Sequence, residues 1–313
     1  MGKKIYKYFG PELVDLALSD NGATFKCSLP KDFNDPYELF LTVDFSSDAS
    51  ALACYQEAIG AIPQLPTTCF SASPAVTPMW AHYGKNVSGF VVEIDEDELA
   101  EAFSNSRLDD VRYQDEPDSG LTEMLYKAHV IGKPRYTYFL QGGTFNAAYF
   151  TKASCWSYEM ERRMIVGEDD VRTAGGLLLM DIPINCITAL IAGSRADDSL
   201  VNSLSNHARK FGSSFFTMKI GKSNIAPYFL DSDGTPYVFN GSGLSLAQSS
   251  CGNCSEPISE GNDRCSWCQI TDEDRMEAAL KNPYRMLDRY GALSSYLESM
   301  NEITRKLQRK GRS

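Results

Sequence analysis

The sequence predicts an α+β fold followed by a small metal-binding module and terminal helices, and three observations carry that reading. Short apolar or alternating runs bounded by turn residues dominate the first half of the chain. Residues 185–220 read as strand, helix and strand. The segment "CGNCSEPISEGNDRCSWC" packs four of the nine cysteines into two Cys-x-x-Cys knuckles.

Lys4–Tyr8, Thr68–Ser71 and Gly89–Ile94 read as strands, each short and flanked by turn formers. "LPKDFNDPYE" is turn chemistry, because Asn34 and Asp35 can bond their own backbone and Pro36 fixes the next φ. A helix is predicted over about Gly120 to Val130, with Leu121, Met124, Leu125 and Ala128 at helical spacing. A strand is predicted from Trp156 to Val166. "NCITALIAG" reads as a buried strand and "SSFFTMKI" as another. Between them "DDSLVNSLSNHARKF" puts Leu200, Val201, Leu204, Ala208 and Phe211 on one helical face. The polar "NGSGLSLAQSS" reads as a linker. Thr271 suits a helix cap with acids in the turn after it, and Pro283 restarts the chain. Leu293, Leu297, Met300, Ile303 and Leu307 then form a stripe that reads first as docking onto the protein's own core and second as a homodimer seam. The expected organisation is a main domain over 1–240, a linker and metal module over 241–270, and helices over 271–313.

A 313-residue chain with 43% hydrophobic residues has enough apolar surface for one substantial core and an appendage. It contains no run near the roughly 20 apolar residues of a membrane span, and its start lacks a secretory signal, so the expectation is a cytoplasmic protein with no membrane partner. Tyr6 stands where a myristoylation signal wants Ser or Thr. The net charge of −11 argues against nonspecific coating of nucleic acid, while leaving room for a local basic patch.

Cys251, Cys254, Cys265 and Cys268 give paired knuckles with ten residues between them, the spacing of a tetrahedral zinc site. All four ligand positions are then protein thiolates, leaving none open for water. The expected Zn2+ is therefore structural, and its binding energy holds the module folded. The other five cysteines are scattered, and Cys155, without a histidine partner, reads as core.

"SCWSYEMERRMIV" places two acids in a run that otherwise reads as a strand. On a strand, Glu159 and Glu161 share a face with Arg163, their Cα atoms roughly 6.5 to 7 Å apart. Composition alone favours a solvent-facing strand edge with the charges paired to Arg163 or to a neighbouring strand; the alternative is that the two acids address one substrate.

Four segments in order, "YKYFGPE", "SLPKDFNDPYE", "CFSASPAVTPMWAHYGKNVSGFVVEID" and "WSYEMERRMIV", resemble a bacterial family known as domain of unknown function 2971, over about residues 5–220. More distantly, a polar residue on the first strand, a Phe-Ser strand leading to an aromatic-rich helix and a late Glu-x-Glu strand are similar to the ADP-ribosyltransferase fold. That resemblance implies a mixed two-sheet core whose cleft binds NAD as substrate. It also implies Glu161 as the principal catalytic residue, stabilising an oxocarbenium-like ribose, with Glu159 as accessory. Lys7 and Tyr8 fall where such enzymes hold the ribose or diphosphate, although the family's usual residue there is His or Arg. Ser71 matches the serine that braces the glutamate. Trp80, His82 and Tyr83 offer a wall for nicotinamide.

The chain has no Gly-x-Gly-x-x-Gly and no Gly-Lys-Ser/Thr loop, which argues against a Rossmann dehydrogenase or a P-loop nucleotidase. Its three histidines are widely separated, which argues against a catalytic metal site. The leading expectation is an NAD-dependent ADP-ribosyltransferase or NAD glycohydrolase acting on a macromolecule, nucleic acid or protein. The resemblance further implies a toxin-like effector in phage defence. The rival is a non-enzymatic zinc-ribbon recognition module for nucleic acid or protein, with basic residues Arg305, Lys306, Arg309, Lys310 and Arg312 available to it. A nuclease with paired acids and a divalent cation stands third.

Overall fold

The computed structural model describes residues 2–33, 42–60 and 62–310, so the turn read at Asn34, Asp35 and Pro36 lies outside the described residues. Two compact units are present, Met1–Gln248 with Ser255–Pro257, and Ser249–Cys254 with Ile258–Ser313.

The first unit is mixed α+β. It opens with β1 (Lys4–Phe9), the short helix α1 (Val14–Ala17), β2 (Leu18–Ser19), β3 (Gly22–Cys27), α2 (Ala49–Ile59), β4 (Thr67–Ser71), α3 (Thr77–His82) and β5 (Phe90–Asp95). There follow α4 (Glu96–Ala102), β6 (Arg107–Asp110), β7 (Arg112–Tyr113), α5 (Ser119–Tyr126), α6 (Pro134–Phe150), β8 (Thr151–Lys152), β9 (Glu161–Ile165), β10 (Arg172–Ala174), β11 (Leu177–Pro183) and β12 (Ile187–Ala192). The unit closes with α7 (Asp198–Phe211), β13 (Ser214–Lys219), β14 (Tyr228–Leu230), β15 (Pro236–Phe239) and β16 (Leu244–Leu246). Ten strands form one sheet in the order β16-β15-β14-β13-β12-β5-β1-β4-β9-β6, and four form a second in the order β10-β11-β3-β2.

Phe90, Val91, Val92 and Ile94 are all fully buried and Glu93 nearly so, because β5 is covered on both faces. One face packs Ile5, Phe90, Val92, Ile94 and Leu190 with Phe25 of the second sheet and Leu200, Leu204 and Phe211 of α7. The other face packs Tyr6, Tyr8, Trp80, Val91, Ile191 and Phe229. The strand, helix and strand read over 185–220 is β12, α7 and β13, paired parallel as a helical crossover requires. Asp197 caps α7 through the Leu200 amide at 2.8 Å, and Gly212 ends it at φ 67°. A third cluster, with Val43, Leu121, Leu125 and Leu140, holds α2, α5 and α6 together.

Two local readings are corrected. Trp156 to Val166 is not one strand: Ser154–Glu159 coils as a 3-10 helix, Met160 turns through the left-handed region at φ 46° and ψ 50°, and β9 begins at Glu161. The polar "linker" contains β16, which pairs Leu244, Ser245 and Leu246 with β15.

In the second unit, α8 (Ser266–Gln269), α9 (Asp272–Lys281), α10 (Pro283–Arg289) and α11 (Leu293–Lys310) follow the cysteine loop. Thr271 and Asp274 close a capping box on α9, and Pro283 opens α10. No helix among the described residues is long and apolar enough to cross a membrane.

Candidate active site and metal centre

β1 pairs with β5 along its whole length but with β4 at one position only, Tyr6 opposite Ser71. Ser71 in turn lies opposite Glu161 of β9. Directly opposed antiparallel residues share a face, so Tyr6, Ser71 and Glu161 form one row across three strands. Beyond that row β1 and β4 part. A cavity of about 200 Å³ opens there, and it draws residues from both faces: Tyr6, Tyr8, Ser71, Tyr83, Glu159 and Glu161 on one side, Lys7, Lys26, Thr68 and Phe70 on the other.

At its centre lies a buried ion network. Lys152 Nζ donates to Glu159 Oε2 at 2.6 Å and to Glu161 Oε2 at 3.2 Å. Arg163 Nε donates to Glu161 Oε1 at 2.8 Å, and its Nη1 to the Tyr149 carbonyl at 2.9 Å. Tyr83 OH donates to Glu159 Oε1 at 2.7 Å. The Glu161 amide is held by Tyr113 OH at 2.8 Å. Lys152 also lies over the Trp156 ring, and Arg163 over that of Phe33.

Burial alone would push the Glu161 carboxyl up, but the Arg163 and Lys152 charges and hydrogen bonds from Arg163 and Cys69 outweigh it and bring its pKa down to about 2. Burial also opposes the Lys152 ammonium, and the two carboxylates reverse that effect, raising its pKa above the ordinary lysine value. Burial, reinforced by Glu161, pushes the Cys69 thiol up to about 12, so it is neutral near pH 7. Lys7 differs in kind. Its ammonium donates to Thr68 Oγ1 at 2.9 Å and to the Cys69 carbonyl at 2.7 Å, both neutral acceptors. Burial lowers its pKa, only partly opposed by Cys69, Cys27 and Glu161.

Six of the residues named from sequence, Glu161, Glu159, Lys7, Tyr8, Ser71 and Tyr83, line this one cavity. The two carboxylates converge for a reason other than strand alternation: the 3-10 turn and Met160 swing Glu159 round until both reach Lys152. Ser71 does not brace Glu161. Its hydroxyl donates to the Ser73 carbonyl at 3.1 Å. Tyr8 OH likewise donates to Ser73 O, at 2.8 Å, so the ring lines the cavity while the hydroxyl is committed elsewhere. Trp80 and His82 lie outside the cavity lining. Trp80 is a fully buried core residue whose Nε1 donates to Pro74 O at 2.7 Å, and His82 is exposed beside Tyr158. Cys155 is exposed rather than core. Lys152 was missed because it sits on a two-residue strand with no motif around it.

In the second unit the Sγ atoms of Cys251, Cys254, Cys265 and Cys268 all lie within 4.8 Å of one another. Cys254 and Cys265 are 3.8 Å apart, the edge length of a thiolate tetrahedron with metal–sulfur bonds of roughly 2.3 Å. Asn253 Nδ2 donates to Cys268 Sγ at 3.3 Å. Backbone amides, that of Cys265 first, bring the Cys251 thiol down to about 6, favouring the thiolate a metal needs. Four close thiols of this kind could hold one metal ion.

Residues 79–164 match the model of a family described as "Protein of unknown function (DUF2971)". The match is narrower than the resemblance read from the motifs: it includes Lys152, Glu159, Glu161 and Arg163 but not Lys7, Tyr8 or Ser71. No curated protein and no solved structure matches the chain.

Proposed function

We propose that the cavity is an NAD-consuming site that transfers ADP-ribose to a macromolecular acceptor, nucleic acid or protein, or hydrolyses the dinucleotide, and that the cysteine site holds a structural Zn2+. The observation that supports the enzyme reading is the convergence of Glu161, Glu159, Tyr83, Ser71, Tyr8 and Lys7 on one cavity. Cleavage of the nicotinamide bond builds positive charge on the ribose, and a carboxylate held ionised by Arg163 is a fixed negative charge against it. With a pKa of about 2, Glu161 serves as an electrostatic group and not as a proton acceptor near neutral pH. Lys152 holds the place between the carboxylates that a cationic centre of the substrate would take. A cavity of about 200 Å³ takes one end of a dinucleotide, leaving Lys7 and Lys26 to meet its phosphates. On this reading the protein is an effector of the toxin type.

The test is incubation of wild type and Glu161→Gln with labelled NAD, with and without cell lysate, following nicotinamide release and label transfer. Release or transfer by wild type, reduced at least a hundredfold in Glu161→Gln, supports the reading. Equal turnover by both proteins removes Glu161 from the chemistry.

A second reading is favoured by the same ion pairs. Every oxygen of Glu159 and Glu161 already has a partner within the protein, the pattern of a structural network in a non-enzymatic recognition module. The nuclease reading loses ground, because the Lys152 ammonium stands where a divalent cation bridging the carboxylates would have to sit.

A further inference from the structure

The chain carries 41 acids in 313 residues, yet none lies between Glu123 and Glu159. The start of that interval is a helical hairpin. α5 continues through a π-helical turn, Lys127–Ile131, reverses at Gly132 in the left-handed region at φ 65°, and re-enters α6 at Pro134. Its buried residues, Leu121, Leu125, Ala128 and Leu140, pack into the helical cluster with α2. Its tip is built the opposite way. Tyr126 is 62% exposed, Tyr138 73% and Phe139 54%. Rings so exposed give up much of the burial that aromatic side chains normally gain.

Cations interleave with the rings. Lys127 pairs with Glu123 at 2.6 Å, so its charge is largely answered. Lys133 and Arg135 have no carboxylate partner among the described residues, and the Arg135 guanidinium stacks over the Tyr136 ring at 5.0 Å. Tyr138 and Phe139 meet edge to face at 5.8 Å. In a protein of net charge −11, two neighbouring cations without a carboxylate partner among the described residues suit a polyanion, although His129 of the same hairpin interacts electrostatically with Asp48 at the start of α2. Rings alternating with cations match an alternation of bases and phosphates, and stacking on aromatic faces is how single strands are held without sequence readout. Val130 and Ile131 are exposed at the same tip, and a membrane surface is the alternative that the vesicle arm of the experiment detects.

We propose that this hairpin tip is a binding surface for single-stranded nucleic acid, with Lys133 and Arg135 on phosphates and Tyr126, Tyr138 and Phe139 on bases. The surface stands independently of the chemistry in the cavity.

The experiment is fluorescence anisotropy of a labelled twenty-nucleotide oligo-U or oligo-dT with the full chain over a salt series. Wild type should bind with a steep salt dependence, about −0.7 in log K per log salt for each phosphate contact. The double variant Lys133→Glu/Arg135→Glu should weaken binding at least tenfold and flatten that slope. Tyr138→Ala/Phe139→Ala should weaken binding about tenfold with the slope retained. These side chains are exposed, and an unchanged thermal midpoint verifies folding. Three results overturn the proposal: no oligonucleotide binding at low salt, binding indifferent to both double variants but lost on charge reversal at Arg305 and Lys306, or loss in these variants only of binding to phosphatidylserine vesicles.

Discussion

Glu161 has both its carboxylate oxygens committed to cations inside the protein, so its environment sets its protonation state more than solution does. Its folded-state pKa, about 2, lies below the ordinary 4.5. A depressed acid contributes stability that is complete above the ordinary value and is lost as pH falls through the folded one. The urea midpoint of the wild type should therefore fall between about pH 4.5 and pH 2, and Glu161→Gln should show a shallower fall over the same window. Lys152→Met keeps the length of the side chain but leaves two buried carboxylates facing each other. It should cost about 3–5 kcal/mol in urea unfolding at pH 7, because one partner of a buried ion network is removed. The acid pair was legible in the sequence because two glutamates in an otherwise strand-like run are anomalous. Arg163 was legible as a partner because it is two residues from Glu161. Lys152 was not, because only the path of α6 into β8 brings it there.

Strand and helix positions were read well where one periodicity governs an element, as in β1, β5, α7 and β13, since burial of one or both faces fixes the pattern. The acidic strand was misread for a physical reason. Its first half obeys a 3-10 turn ended by Met160 in the left-handed region, and methionine is not a residue that announces that conformation. Glycine adopts it freely, whereas a β-branched residue clashes. Met160→Gly should leave the thermal midpoint equal or higher, while Met160→Val should lower stability by roughly 1–2 kcal/mol. Equal midpoints for the two variants would mean that this turn is not strained. Lys85, Asn86 and Val87 also have positive φ, 46°, 57° and 68°, immediately after α3, and that run shapes the loop behind Tyr83.

At the scale of the whole molecule, two compact units answer to different stabilising forces. The first has continuous cores on both faces of its main sheet, whereas in the second Met276, Leu280, Met286 and Tyr290 are all exposed. On the proposed reading, metal binding, worth on the order of 10 kcal/mol in small zinc modules, would be the main term for the cysteine loop. Chelation should raise amide hydrogen exchange across Cys251–Cys268 and leave β5 and β12 protected; unchanged exchange in the loop would contradict a structural metal. The knuckles were legible because ligand spacing is local, while the cavity was legible only in part, since the parting of β1 from β4 follows from pairing across the sheet and not from either strand. If the proposed function holds, this cleft binds NAD, and equilibrium titration of NAD into wild type, Lys7→Ala and Glu161→Gln is the decisive measurement. Saturable binding by wild type is expected, weakened at least tenfold in Lys7→Ala and retained within a few-fold in Glu161→Gln. No binding by the wild type, or binding equally strong in Lys7→Ala, would contradict it.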